Sequence, residues 1–524
     1  MRIGVIVTGA QVERWARETL DLITGSPDFE IVAAVDWTAT RQCHAGGLAA
    51  RFFDLYRSRC PATRMLELRP VAPLDVRPLD PDKARAYLQP LELDVILVLT
   101  SDLLEGECGG LARFGVWAPL WGDPAQPLRR PSFLWEALEA QPVTPAALML
   151  HEERFDSGRV LQKVACATVE GFFYTRNGEG PARAMKTLLV RCLYDVAHRG
   201  AEWLCESPES NRGTVAIQEQ YSIPSPPRLV RFLAWRGWVS LIMNVRNART
   251  YGAWFCAFRK RRETPASPPV FDPDDFVELP LRGYGFGCAD PFPFRRDERD
   301  FIFVEEILPG GHGRLAVYTL EGGQCRTPPE VILDAAHHLS YPCTFESDGD
   351  SYFIPESSET GRVELWRAVD FPGRWELDHV YVERIPLADT TPFHHQGHWY
   401  FFTSSLPDEF GCAELYLFHS EQLRGPWLRH PRNPICSDIR SARMAGHIFR
   451  RGSRLIRPAQ DSTGVYGRAM RLFEIVELTP ARYEEREIGS IQPDWHPQLE
   501  RTHTLNESES IEVIDGWKRF PIQR

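Results

Sequence analysis
Several features that would place the 524-residue chain at a glance are missing from it. There is no C-x-x-C pair, and the 12 cysteines stand singly from Cys43 to Cys436, which argues for reduced thiols and against a zinc ribbon or a disulfide frame. No uninterrupted apolar run reaches the roughly 18 residues that a membrane-spanning helix needs. The opening apolar segment, Arg2-Ile3-Gly4-Val5-Ile6-Val7, is too short for a secretory leader and reads as a buried strand. A basic excess is absent too: 60 Lys and Arg against 71 Asp and Glu leave a formal charge of −11, the wrong sign for a general nucleic-acid binder. The first turn, Thr8-Gly9-Ala10-Gln11, lacks the G-x-G-x-x-G of a dinucleotide site. No cofactor and no metal are expected, and the expected location is the cytoplasm.

What is present is a globular composition, 43% apolar and 25% charged, with 42 Pro, 38 Gly and 15 Trp favouring turns and aromatic packing. Three regions follow. Residues 1–170 alternate strands (Ile3–Val7, Ile31–Val35, Asp94–Leu99) with helices such as Val12–Ile23, the pattern of an α/β domain with a parallel sheet and helices on both faces. Residues 171–270 form a helical connector ending in the linker Thr264–Pro269. Its stretch 228–262 holds no acid. It carries Arg228, Arg231, Arg236, Arg246, Arg249, Arg259, Lys260, Arg261 and Arg262 among Trp235, Trp238, Leu241, Ile242, Trp254 and Phe255. Such a stretch suits either helices clamping two domains through acidic surfaces or peripheral contact with an anionic membrane at its inner face.

Residues 271–524 turn to short strands separated by Gly, Pro and Asp, with units recurring at a spacing of roughly 45 residues. Each begins with an inner motif: CADPFPF (288–294), LSYPCTFE (339–346), LADTTPFHH (387–395), SARMAGHIF (441–449) and ERTHTLNES (500–508). Five units imply an all-β five-bladed propeller with these motifs around a central funnel, and Trp366, Trp375, Trp399, Phe401 and Trp427 packing between blades.

In the first region, Phe155-Asp156-Ser157-Gly158-Arg159-Val160-Leu161-Gln162 and the strand Asp94–Leu99 resemble the methionyl-tRNA and sugar N-formyltransferases. That resemblance implies an Asn and a His two residues apart acting with the later Asp. Only Asp156 remains here, since the Asn-x-His stretch reads Ala118-Pro119-Leu120. The resemblance therefore implies a retained fold with altered or lost chemistry, and formyl-tetrahydrofolate enters only if the site is remodelled. His151 reads as a surface or core histidine.

The last region is similar to the propeller of plant glucosamine inositolphosphorylceramide transferases in HLSYPCTFESDGDSYFIPES (338–357), DTTPFHHQGHWYFFTS (389–404) and RLIRPAQDSTGVYG (454–467). More distantly it resembles five-bladed hydrolases and phosphorylases that place acids on their innermost strands. That resemblance implies catalytic roles for Asp290 and Asp389, with Glu346 and Glu356 as replacements for a fourth-blade acid whose place Arg443 and His447 take. Arg443, His447, Arg457, Gln460, Asp461 and His503 are then the substrate-binding candidates, with arginines suited to phosphate or a sugar carboxylate. Arg457 to Asp461 equally suit pinning the fourth blade. The expected function is a carbohydrate-active enzyme of cell-envelope glycan or glycolipid biosynthesis, acting on a sugar, nucleotide-sugar or glycolipid. The alternatives are N-formylation of an amino sugar and a non-catalytic glycan-binding scaffold.

Overall fold
The computed structural model describes residues 1–37, 48–61, 63–71, 74–102, 104–206, 213–262, 274–325, 327–405 and 413–522. They divide into two compact units, one running to Ser240 and one from Leu241 onward. The expected linker Thr264–Pro269 lies outside the described residues.

The first unit is built on an eight-stranded sheet. Its parallel part runs Val76–Leu79, Glu30–Trp37, Arg2–Val7, Val95–Val98 and Val116–Leu120. Alternating residues of Arg2–Val7 explain how both faces are covered. Ile3, Val5 and Val7 join Trp15, Leu20 and Ile23 of the helix Arg14–Thr24, while Ile6 joins Ala84 and Leu88 of Pro81–Leu88 on the other face. The expected all-parallel sheet needs correcting, because Val143–His151, Ser157–Ala167 and Val215–Ala216 extend it antiparallel. Val143–His151 and Ser157–Ala167 are joined by a five-residue turn, which only a hairpin can bridge. Cys166 is disulfide-bonded, which corrects the expectation of reduced thiols throughout, whereas Cys60 and Cys108 are free.

The second unit is the five-bladed propeller. Blade 1 comprises Gly287–Arg296, Arg299–Ile307, Gly313–Leu320 and Glu330–Leu333. Blade 2 comprises Ser340–Ser347, Asp350–Glu356, Val363–Asp370 and Arg374–Val382. Blade 3 holds Leu387–His395, His398–Ser405, Leu415–Ser420 and Leu428–Arg429. In blade 4 an inner strand split into Arg443–Met444 and Phe449–Arg451 precedes Arg454–Asp461, Ala469–Leu478 and Tyr483–Ile491. Blade 5 draws on distant stretches. Leu499–Arg501 and Leu505–Glu507 form its inner edge, then come Ile511–Pro521, Thr250–Lys260 and Val277–Glu278.

Between blades the expected aromatics do pack: Trp375 of blade 2 lies 5.7 Å from Phe303 of blade 1, and Phe401 and Trp427 of blade 3 lie 4.8 and 6.0 Å from Tyr381 of blade 2. The expected connector does not stand apart. Helix Glu179–Arg199 buries Met185, Leu188, Leu189 and Val196 in the first unit's core, and Thr250–Lys260 pairs along its length with Ile511–Pro521. Most of its arginines are ion-paired: Arg228 with Glu139, Arg236 with Glu170, Arg246 with Glu500, and Arg261 with Glu507.

The ring closes through that pairing, so its least tolerant point is the buried ion pair between Arg259 and Glu512, 2.5 Å apart, with both side chains almost wholly withdrawn from water. Removing Arg259 leaves the buried Glu512 with only the more distant Arg451, 3.5 Å away, whereas removing both leaves neither charge of the pair buried. Arg259→Met should therefore lower unfolding stability by about 3–5 kcal/mol in urea titration, and adding Glu512→Leu should restore most of it. A double variant no better than the single one would contradict this account of the closure.

Candidate functional site
Each inner strand is interrupted at the same point. Register shifts fall between Ala289 and Phe292 in blade 1, Ser340 and Cys343 in blade 2, and Ala388 and Thr391 in blade 3. Blade 4 breaks between Met444 and Phe449, and blade 5 between Arg501 and Leu505. Asp290, Tyr341 and Asp389 occupy the bulges with φ of 50°, 46° and 50°, a left-handed conformation that a side chain adopts only when its surroundings impose it. Bulges re-aim side chains, and here they turn Asp290, Tyr341, Asp389, Arg443 and His503 toward one another.

A second ring comes from the neighbouring strands. Glu305 stands opposite Ala289, Glu356 opposite Ser340, Ser404 opposite Ala388, and Gln460 opposite Arg443. Asp515 follows Ile514, the partner of Leu505.

Two charged groupings result. In the first, Arg443 donates from Nε to Asp389 Oδ2 at 2.5 Å, and from Nη2 to Glu356 Oε2 at 3.0 Å and Asp389 Oδ1 at 3.3 Å. Gln460 Nε2 donates to Asp389 Oδ2 at 3.0 Å. In the second, His503 Nδ1 lies 2.5 Å from Asp515 Oδ2 and its Nε2 lies 3.7 Å from Asp290 Oδ1. Asp515 Oδ1 also accepts from the amides of His503 and Thr504, and Asp290 accepts from Thr504 Oγ1 at 2.7 Å and the Tyr341 amide at 3.2 Å.

All of these carboxylates are buried. Burial raises Asp290 and pushes Asp389 up to about 7, the latter against the pull of Arg443 and with Glu356 adding to the rise. Burial also raises Glu305, against the bond from His338, 3.1 Å away. For His503 burial works the other way, but Asp515 and Asp290 outweigh it and raise the imidazole to about 9. Arg443 keeps its charge because Asp389, Tyr466 and Glu356 more than offset burial.

Aromatic rings cover the cations. Trp254 stacks on His503 at 4.0 Å, and Tyr466 meets His503 edge-on at 5.3 Å with the Arg443 guanidinium 5.0 Å from its ring. Tyr466 is 39% exposed, so this face of the cluster reaches solvent. Further along the inner strands, Phe292 packs on Tyr341 at 4.8 Å and on His447 at 4.9 Å.

Of the sequence-derived candidates, Asp290, Glu356, Asp389, Arg443, Gln460 and His503 meet here. Four are placed elsewhere. Glu346 is exposed near the hairpin end of its strand, opposite Ser351. His447 is half-buried beside Phe292 and Cys343 and held neutral, lowered to about 4 by desolvation. Arg457 is consumed within blade 4 by Glu485 at 2.7 Å and the Ser441 carbonyl. Asp461 bonds Thr463, Arg468 and Arg471. In the first unit Asp156 is largely exposed beside Arg154, 3.3 Å away, and Ala118 and Leu120 are buried apolar positions. His151 is buried and donates from Nδ1 to the Ser157 carbonyl, in keeping with a core histidine.

Sequence reasoning missed Glu305, Tyr341, Asp515, Trp254 and Tyr466. One signal was available: Asp290 and Glu305, Tyr341 and Glu356, and Asp389 and Ser404 are each fifteen residues apart. As for a metal, Asp290, His503 and Asp515 are the one group among the described residues whose ligand atoms lie within 4.8 Å of one another. Their oxygens, however, already accept amide and hydroxyl hydrogens, which fits an ion-paired imidazolium better than a cation site.

The propeller matches a family model. It is described as glucosamine inositolphosphorylceramide transferase 1, N-terminal, and it covers residues 265–498. The chain is 34% identical over 204 residues to glucosamine inositolphosphorylceramide transferase 1 of Oryza sativa subsp. japonica, covering 38% of this chain and 27% of that protein. With the Arabidopsis thaliana protein of the same name it shares 35% identity over 209 residues, again 38% and 27%. The chain thus spans about a quarter of the length of these curated relatives. Among solved structures, a family 117 glycoside hydrolase from Zobellia galactanivorans aligns with a TM-score of 0.32 at 11% identity, over 51% of this chain and 90% of that one. An endo-1,4-beta-xylanase from Bacteroides thetaiotaomicron aligns with a TM-score of 0.30 at 14% identity, over 40% and 77%.

The imidazolium makes the cluster pH-sensitive. A histidine whose folded pKa exceeds its unfolded value near 6.5 contributes stability that is complete below about pH 6.5 and lost as pH rises through about 9. The wild-type chain should lose on the order of 3 kcal/mol of unfolding free energy across that window relative to His503→Gln, measured by urea titration at each pH. Parallel pH profiles for the two proteins would refute a charged His503.

Proposed function
We propose that this chain is a carbohydrate-active enzyme of glycan or glycolipid assembly and that its saccharide chemistry lies at the propeller axis. The observation carrying this reading is the set of inner-strand bulges that bring Asp290 and Asp389 together with Arg443 and His503 under two aromatic rings. Aromatic faces bind the apolar side of a sugar ring, and a carboxyl pushed up to about 7, as Asp389 is, exchanges protons with its hydroxyls. The match to the transferase family model in this same region supports it.

Within that reading, glycosyl transfer is favoured over hydrolysis. Hydrolysis needs two carboxyl groups free to flank a glycosidic bond. Here Arg443 engages both Asp389 and Glu356, and no further acid stands at the fourth-blade bulge. A guanidinium and an imidazolium on the axis suit a donor that carries phosphate, such as a nucleotide-sugar. In this scheme the Asp389 carboxylate takes the acceptor hydroxyl's proton as that oxygen bonds the anomeric carbon, the anomeric C–O bond to phosphate breaks, and the nucleotide departs as an anion beside Arg443 and the His503 imidazolium, which Asp290 and Asp515 hold in place.

The test is release of nucleotide from a panel of nucleotide-sugars. Asp389→Asn should lower kcat at least 100-fold with KM changed little, and Asp290→Asn should behave alike. Wild-type levels in both variants would remove the propeller from the chemistry. Sugar binding without any turnover by the wild-type protein would leave a glycan-binding scaffold.

A further inference from the structure
A second surface of the propeller unit has no part in the axial cluster. The helix Pro226–Asn247 ends in a segment exposing Leu241, Ile242, Met243 and Val245, which are 56%, 44%, 38% and 45% accessible. Ile522 is also exposed, and its amide donates to the Arg249 carbonyl at 3.2 Å, which brings the end of the last blade 5 strand against this segment.

Cations gather here around a single carboxylate. Arg246 and Arg519 share Glu500, with Arg519 at 3.5 Å. Arg501 lies over the Trp517 ring at 4.4 Å, and Arg519 lies 5.1 Å from the same ring. Arg519 disfavours the charge on both Arg246 and Arg501, adding to the cost of burial. Arg249 is exposed, and no carboxylate pairs with it or with Arg501 among the described residues. Residues 241–262 contain no acid.

Exposed aliphatic side chains beside crowded, under-neutralised arginines match the boundary between lipid headgroups and acyl chains. Anionic headgroups relieve the repulsion while the apolar residues enter the interface. Among the described residues no helix is long and apolar enough to cross a membrane. We infer that the apolar end of this helix, together with Arg246, Arg249, Arg501 and Arg519, docks the propeller unit on an anionic lipid surface. The inference goes beyond the saccharide reading and does not depend on it.

The experiment is co-sedimentation of the full chain with phosphatidylcholine vesicles, plain or containing one third phosphatidylglycerol. Binding is expected only to the phosphatidylglycerol vesicles and should weaken at high salt. Arg249→Glu with Arg501→Glu should reduce it about tenfold or more, as should Leu241→Asn with Ile242→Glu on the apolar side, while thermal unfolding of both variants stays that of the wild type. Equal binding to both vesicle types, or none to either, would overturn the proposal. A dimer seen by light scattering and abolished by the same substitutions would also overturn it, because the surface would then belong to a second copy.

Discussion
Burying more negative than positive charge at one axis is the constraint on which the propeller's centre depends. Asp290, Glu305, Glu356, Asp389 and Asp515 converge from four of the five blades, and among the described residues Arg443 and His503 answer them with positive charge, with His338 beside Glu305. A buried, uncompensated carboxylate is expensive, so every such group here has specific donors. Asp515 takes the His503 side chain and three amides, and Asp389 takes Arg443 and Gln460. Even so, burial drives Asp389 toward neutrality, with Glu356 adding to the rise, against the pull of Arg443. An arrangement built only for stability would use apolar side chains at these positions, as the next layer does with Phe292.

The backbone accepts strain to build this centre. Three residues with side chains sit at positive φ, at corresponding places in three blades. Each is fixed by its neighbours. The Tyr341 hydroxyl accepts from the Gly446 amide and shares a hydrogen with Thr391, tying blades 2, 3 and 4 together. The Tyr341 amide, freed by its bulge, donates to Asp290 of blade 1. Local strain and inter-blade hydrogen bonding are thus two aspects of one design, and the electrostatics of the cluster inherit that rigidity.

Repetition made most of the propeller legible in the sequence: the five inner motifs mark five blades, and the resemblance to five-bladed hydrolases implied Asp290 and Asp389, with Arg443 and His447 at the fourth-blade position. Blade 5 was hidden because its third strand, Thr250–Lys260, is rich in arginine and aromatics, so it reads as a connector. Its partner lies some 260 residues further on, and Arg259 makes sense only beside Glu512. Glu346 was misplaced because the bulge after Ser340 resets which side chains face the axis, a change that alternation along a strand does not reveal. Arg457 and Asp461 flank the axial Gln460 on one strand, but each finds its partners inside blade 4 or its loop, which no local pattern predicts. In the first unit the parallel strands followed from their apolar runs, whereas the antiparallel extension depends on a short turn that fixes strand direction.

The central claim is that saccharide meets charge at this axis, and a crystal structure of the protein soaked with a nucleotide-sugar tests it most directly. The account predicts a sugar ring against Tyr466 or Trp254, with the phosphates beside Arg443 or His503. Density for the ligand only at some other place, with Arg443, Asp389 and Glu356 undisturbed and beyond its reach, would contradict it.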